Sequence, residues 1–331
     1  MFSWSIEELN LPLKVLWRTA RSTATSTVSE NFLITLRDGE RISHGEVSPF
    51  SRYGIKERDV FNEFNRFLKL VPNNLSDTSH GELVEFLIKN EFAHSMSFGI
   101  ESAFVHLQNK SVSEYFNLKT PAPIETSFTI PIMEISELQN FVKGYSRFKF
   151  LKIKINKETG FETIEEISKH TNQKLRIDAN ESWSDFESFE EFLKKLSDKN
   201  IESRIEFIEQ PFPASCKDEY RKLKKISRIP IIADESVEDS ADFNELKNMF
   251  HGINVKLQKA GSYKNAIRLL TSAREHGMQT MIGCMVESSL GCMGGFELSS
   301  LVDYCDLDGF LLVKDDPFKL LKEENGIISS I

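Results

Sequence analysis

The chain has 331 residues, enough for one large domain or two ordinary ones, with no metal or disulfide needed merely to fold. It carries 41 basic and 50 acidic residues, net −9, and no basic stripe, so nucleic acid and anionic membranes are poor candidates as partners. Its 26 Phe against 16 Gly exclude a collagenous or linker-like chain.

The opening MFSWSIEELN has two acids by residue 8 and no basic n-region, and no run approaches ~18 apolar residues. Neither a secretory signal nor a membrane span is expected, and the expected location is cytoplasmic. Cys216, Cys284, Cys292 and Cys305 form no CxxC pair and read as reduced core or pocket thiols.

Residues 1–115 read as α+β. WRTARSTATSTVS, from residue 17, has no periodicity and reads as a polar loop. SENFLITLRDGERISHGEV then gives two strands about an Asp38-Gly39 turn. Helical spacing follows over 57–70, and again over 81–108 with a break near Met96-Ser97. From about 125 the texture changes. Eight short apolar runs (127–132, 148–155, 174–180, 205–211, 230–236, 253–257, 278–287 and 304–313) alternate with amphipathic helical patterns such as 185–196 and 263–277. Eight strands spaced by helices are the arithmetic of a (β/α)-barrel. A doubly wound open sheet shares the alternation, but no Gly-rich phosphate loop follows the first run.

Polar residues gather at one end of these runs. Lys152 and Lys154 close the second, Asp178 and Asn180 the third, Glu209 the fourth, and Asp234 and Glu235 the fifth. Lys256 ends the sixth, Glu287 the seventh, and Asp306 and Asp308 mark the eighth. In a barrel these ends share one mouth. Buried carboxylates are costly unless paired or metal-bound, and a repeated mark at the same strand end is hard to explain as helix caps. Asp178, Glu209 and Asp234 would repel one another unless a hard dication joined them. Oxygen-only ligands suit Mg²⁺, and no His marks these ends to suggest zinc. Lys154 and Lys256 would face each other across a barrel, placed as acid and base on opposite faces of one carbon. The metal would then stabilise the enediolate left by the α-proton.

The set Lys152-Ile153-Lys154, Asp178-Ala179-Asn180, Glu209-Gln210-Pro211, Ala233-Asp234-Glu235-Ser236 and Asn254-Val255-Lys256 with Lys259 resembles the enolase superfamily in its muconate-lactonizing branch. Gly45-Glu46 and Pro49 look like the GE-x-x-P of that family's cap. The resemblance implies a modified (β/α)7β TIM-type barrel with an N-terminal α+β capping domain. Its parts would be a cap over 1–115, a catalytic barrel over 116–315 and a return to the cap over 316–331. Asp306-Leu307-Asp308-Gly309 and GCMVESSLG (283–291) look like dipeptide epimerases. By position the resemblance makes Lys154 and Lys256 the acid/base pair and Asp178, Glu209 and Asp234 the Mg²⁺ ligands. It assigns Thr129, Lys152, Cys284, Asp306 and Asp308 to the substrate, the last two to its ammonium, with Asn180, Glu235 and Glu287 supporting. The sequence departs at Glu181-Ser182, where Gln-Gly is usual and where Glu181 is expected to turn to solvent. It departs again at Gly261-Ser262, where two glycines are usual.

The implied activity is Mg²⁺-dependent epimerisation of a dipeptide of L-Ala-D/L-Glu type, and the implied partner is that small molecule. Assembly into a homo-oligomer is left open. A cycloisomerase or o-succinylbenzoate synthase of the same branch would share the lysines and metal, but its substrates offer no ammonium to Asp306 and Asp308. A Schiff-base aldolase would use one lysine and no metal. A binding barrel would not need both lysines.

Overall fold

The computed structural model describes residues 2–18, 25–50, 55–72, 79–239 and 241–331. It opens with an antiparallel meander of β1 (Phe2–Trp17), β2 (Ser26–Asp38) and β3 (Arg41–Val47). β1 lies outside the elements expected from sequence, although Leu9, Leu11, Leu13, Val15 and Trp17 recur at every second position, the period of a half-buried strand. The expected loop is therefore shorter: residues 26–29 already belong to β2, and residues 19–24 of it lie outside the described residues. The Asp38-Gly39 hairpin forms as expected, with Asp38 opposite Arg41.

Among the described residues, four α-helices complete the cap: α1 (Val60–Leu70), α2 (His80–Lys89), α3 (His94–His106) and α4 (Val112–Tyr115). Ser79 and Glu82 form a reciprocal capping box that starts α2. The break between α2 and α3 falls at 90–93, where Glu91 takes a φ of 52°, and not at Met96-Ser97, which lie inside α3. α3 is buried from Ser95 to Val105 because it packs on both sides. Met96, Ile100, Ala103 and Phe104 join the cap core, and Phe98 and Val105 join the barrel core. Its approach to β3 needs glycine, since a Cβ on Gly45 would stand 2.0 Å from the Gly99 carbonyl oxygen.

A short β4 (Ile124–Glu125) precedes eight parallel strands: β5 (Ser127–Ile130), β6 (Phe150–Lys154), β7 (Lys174–Asp178), β8 (Ile205–Glu209), β9 (Ile231–Ala233), β10 (Gly252–Lys256), β11 (Gln279–Gly283) and β12 (Tyr304–Asp306). The helices between them are α5 (Ile135–Gly144), α6 (Gly160–His170), α7 (Phe186–Asp198), α8 (Lys217–Ile226), α9 (Phe243–Leu246), α10 (Leu257–Ala260), α11 (Tyr263–Glu275) and α12 (Ser289–Glu297), with α13 (Gly309–Leu312) after β12. The strands pair in consecutive order from β5 to β12, which excludes the doubly wound sheet, whose order reverses at a switch point. The two ends meet where the Ser127 hydroxyl donates to Asp306 Oδ1 at 2.5 Å and the Leu307 N–H donates to Thr126 Oγ1 at 3.0 Å. The sheet is thereby nearly closed into a barrel.

Strand alternation then sorts the side chains. Leu151, Ile153, Leu175, Ile177, Ile208 and Ile253 face the helices and join one continuous core. The other set points inward. Phe207, Ile232, Met281 and Tyr304 plug the lower barrel, with the Arg176 guanidinium 5.5 Å from the Phe207 ring centre and 5.6 Å from that of Tyr304. One step further along the same inward faces come Asp178, Glu209, Asp234, Gly283 and Asp306. A mostly apolar and aromatic plug below and polar groups above is the division that a barrel-mouth site requires.

After the barrel the chain touches the cap. The Lys314 N–H donates to the Pro12 carbonyl at 2.8 Å, and Phe318 lies 6.3 Å from the His44 ring. It then forms a hairpin, β13 (Leu321–Glu324) and β14 (Ile327–Ser330), on the edge of β4.

Candidate active site

The register of the parallel strands sets the site. Lys154 pairs with Asp178, and Asp178 with Glu209, so these Cα atoms form a row along the C-terminal rim, while Thr129 pairs with Lys152 one inward step below it. Lys256 pairs with Gly283, and Gly283 with Asp306, on the far side. β6 and β10 are four strands apart in an order of eight, so Lys154 and Lys256 stand across the mouth from each other. Both line one cavity of about 570 Å³, together with Thr129, Lys152, Asn180, Asp234, Glu235, Cys284, Asp306 and Asp308. Asp178 and Glu209 lie beneath, fully buried.

Each lysine rests on a carboxylate. Lys154 Nζ is 2.7 Å from Asp178 Oδ2 and 3.4 Å from Asn180 Oδ1. Lys256 Nζ is 2.8 Å from Asp234 Oδ2, and Lys259 Nζ is 2.6 Å from Asp234 Oδ1. Lys152 sits at the centre, 2.7 Å from both Glu209 Oε2 and Asp306 Oδ2. Burial opposes its charge, yet Asp306, Glu209 and Asp178 hold its ammonium well above the ordinary lysine range. Burial likewise pushes the Asp178 and Asp234 carboxyls up. The ammonium groups of Lys154 and Lys152, and of Lys256 and Lys259, outweigh it and keep both well below the usual range.

Glu209 behaves otherwise. Burial raises it, Lys152 opposes, and the negative charges of Asp178 and Asp234 raise it further. Its Oε1 accepts from Asn254 Nδ2 at 2.7 Å. Its Oε2, although close to Lys152, receives no well-directed hydrogen bond. Among the described residues no three acidic, His or Cys groups are drawn together closely enough to hold a metal ion as they stand, and lysines on either side hold Asp178 and Asp234. Three carboxylates on neighbouring strands that repel one another, one of them with an oxygen lacking a well-directed hydrogen bond, still offer the all-oxygen donor set of a hard dication.

The loops after these strands hold the acids in place. Asn180 and Gln210 adopt φ of 43° and 41°, strained values that persist only where the surroundings fix them. Gln210 donates to Tyr220 and Ser236 and accepts from the Asp234 N–H at 2.9 Å, so the turn after β8 sets the position of Asp234. Gly283 leaves room for Asn254, whose amide a Cβ would approach to 2.7 Å. Glu181 does not turn to solvent as expected. Its carboxylate accepts from the Ala214 N–H at 3.0 Å and ties the loop after β7 to the loop after β8. Ser262, in place of a second glycine, caps α11 by accepting from the Asn265 N–H at 3.0 Å.

The two eighth-strand acids separate. Asp306 uses both oxygens within the protein, on Ser127 and Lys152. Asp308 takes hydrogen bonds from the backbone and side chain of Thr129, and its carboxyl is pushed up to about 7 by burial and then by Asp306. Cys284 Sγ lies 3.3 Å from the Gly309 N–H and lines the cavity. Glu287 is tied to Gln258 at 2.9 Å and lies outside the cavity lining; burial and Glu46 push it up to about 7. Sequence reading missed Trp17, whose ring lies 5.6 Å from Lys154 Nζ, and Ser29 and Asn31, which line the cap side. The alternation in β1 was the available signal for Trp17; Ser29 and Asn31 carry none.

A model of the "Enolase C-terminal domain-like" family matches residues 135–316, more than half of the chain. The chain belongs to that family. It is 28% identical to an L-Ala-D/L-amino acid epimerase of Flavobacterium johnsoniae over 98% of this chain and 95% of that protein. It is 30% identical to an L-Ala-D/L-amino acid epimerase of Pedosphaera parvula, over 97% of this chain and 93% of the relative. Among solved structures, the dipeptide epimerase of Cytophaga hutchinsonii, complexed with Mg and D-Ala-L-Val, superposes with a TM-score of 0.86 at 24% identity, covering 99% of this chain and 92% of that one. These structural likenesses show the capped-barrel fold. No helix among the described residues is long and apolar enough to cross a membrane, and all four cysteines are free thiols.

Proposed function

We propose that this chain is a dipeptide epimerase, inverting the Cα of the C-terminal residue of a dipeptide of L-Ala-D/L-Glu type by 1,1-proton transfer through an enediolate. The observation that carries the reading is the pair Lys154 and Lys256, from strands across the barrel, facing one cavity with a carboxylate at each ammonium. Relatives named as epimerases align over nearly the whole length and support it.

Asp178, Glu209 and Asp234 would hold one Mg²⁺, the metal present with dipeptide in the Cytophaga hutchinsonii structure. A dication there would bind the substrate carboxylate and offset the charge that develops on it as the α-proton leaves. The chain's own groups do the rest. One lysine, as the free amine, takes the Cα proton from one face, and the other, as ammonium, gives a proton to the opposite face. For the other epimer their roles exchange. Lys152 and Thr129 hold the substrate carboxylate and backbone, with Cys284 contributing through its own backbone. Asp308 receives the dipeptide ammonium, and Asp306 fixes Lys152 beside it. That pairing favours a dipeptide over a cycloisomerase substrate, which has no cation to place against Asp308.

Incubation of the enzyme with a dipeptide library in D₂O tests this. Deuterium should enter the α-carbon of the C-terminal residue in a subset of the dipeptides, detected by mass spectrometry. Absence of wash-in across the library, with Mg²⁺ present, sinks the proposal.

A further inference from the structure

Glu46, near the end of β3, is a cap residue buried to 1% exposure that reaches into the barrel. Its Oε1 accepts from Asn31 Nδ2 at 2.7 Å and from the Ser288 N–H at 3.0 Å. Its Oε2 accepts from the Gly291 N–H at 3.0 Å and from the Ser288 hydroxyl. Ser288 is the N-cap of α12 and Gly291 its third residue, so a cap carboxylate is seated on the first turn of a nine-residue barrel helix. Residues 284–286, just before that turn, form one wall of the cavity. Cap strand β2 grips the same wall directly: the Val286 carbonyl accepts from Asn31 Nδ2 at 2.9 Å and from the Ser29 hydroxyl at 3.0 Å. Gln258 closes the network, donating to the Glu46 carbonyl at 3.0 Å and to Glu287 Oε2 at 2.9 Å.

A second cap acid offers an internal comparison. Glu101, in α3, is fully buried, accepts from the Tyr263 N–H at 2.7 Å, and so sits on the first turn of α11. Residues 257–262, which lead into α11, do not line the cavity; its lining on that side stops at Lys256. Both acids accept from the first turn of a barrel helix, Glu101 with its other oxygen 2.7 Å from His80 Nε2 in the cap, but only the one at Glu46 holds a segment that faces substrate.

We propose that Glu46 is a positioning residue. By clamping the first turn of α12 to β2 and β3, it holds the 284–286 wall where the bound substrate must rest, and so sets substrate affinity. The kinetic part of this inference rests on the dipeptide epimerase reading above; the position of the wall does not.

The test compares Glu46→Gln with Glu101→Gln in the full chain. Gln keeps the size of the side chain but turns one acceptor into a donor facing Asn31 Nδ2 or the Gly291 N–H. Glu46→Gln is expected to raise KM for dipeptides roughly tenfold with kcat nearly unchanged, the scale of one weakened charge-assisted hydrogen bond. Both variants are expected to lower Tm, but Glu101→Gln is expected to leave KM unchanged. Asn31→Ala combined with Glu46→Gln should give less than the sum of their separate effects on KM. Independently of any substrate, alkylation of Cys284, followed by peptide mapping, should speed up in Glu46→Gln and not in Glu101→Gln. If Glu46→Gln does not fold, Glu46→Asp, which draws the charge back by one methylene, carries the same comparison. Equal KM and equal Cys284 alkylation in the two Gln variants would overturn the inference. Faster alkylation in Glu46→Gln together with no dipeptide turnover by the wild type would overturn the epimerase reading and leave the clamp standing.

Discussion

Asp308→Asn isolates the group proposed to read the substrate's cation. Burial and the nearby Asp306 raise this carboxyl from an ordinary 3.8 to about 7. Charging it in the free enzyme therefore costs on the order of 4 kcal/mol, which a substrate ammonium beside it would partly offset. Removing one partner of such a buried pair typically costs ~2–5 kcal/mol, or roughly 30-fold to several thousand-fold in kcat/KM. The assay is epimerisation followed by polarimetry across neutral pH, for a free dipeptide and its N-acetyl derivative. In the wild type, kcat/KM for the free dipeptide should climb as pH rises through about 7, because only ionised Asp308 pairs with the ammonium. Asp308→Asn should lose that rise and fall by the stated factor. The acetylated dipeptide, having no cation, should be poor with the wild type and change little in the variant. An unchanged preference for free over acetylated dipeptide would refute the reasoning and leave Asp308 as a loop residue bonded to Thr129.

Other perturbations separate the remaining roles. Lys154→Ala should still exchange the α-proton of one epimer and Lys256→Ala that of the other, with epimerisation down ~10²–10⁴-fold in both; intact epimerisation in either would rule out the two-base mechanism. Asp234→Asn should weaken Mg²⁺ binding in titration calorimetry together with activity, and full activity after exhaustive chelation would remove the metal from the mechanism. Glu287 has a folded pKa raised from 4.5 to about 7, so the folded state binds the extra proton between those values. Its contribution to stability is full below about 4.5 and lost as pH rises through about 7; Glu287→Gln should flatten Tm against pH over that window. Gly45→Ala, which would place a Cβ 2.0 Å from the Gly99 carbonyl oxygen, should lower Tm by roughly 2–5 °C.

Much of the barrel was legible because its signals are local. Ile153 between Lys152 and Lys154, or Ile177 between Arg176 and Asp178, shows one apolar residue facing the helices and two polar ones facing inward, and strand alternation alone produces that pattern. The parallel order also followed, since helices between strands return the chain to the same end of the sheet. The α2–α3 break was misplaced because apolar spacing continues through Met96 and Ser97, while the turn depends on Glu91 adopting a left-handed conformation that carries no strong compositional mark. Glu181 was misjudged for a related reason. As a lone acid near other acids it should avoid the protein, but the loop after β8 brings the Ala214 N–H within 3.0 Å of it.

What the sequence determined by itself, then, was which residues share the rim, because side-chain direction is a property of each strand. Only the tertiary structure decided which rim groups satisfy one another. Lys152 pairs with Asp306 from 154 positions away, and Glu46 with Ser288 from 242. Such pairings leave no periodic trace in the chain; they exist because closing the barrel and seating the cap exclude water, and each buried charge or donor must then find its partner within the protein.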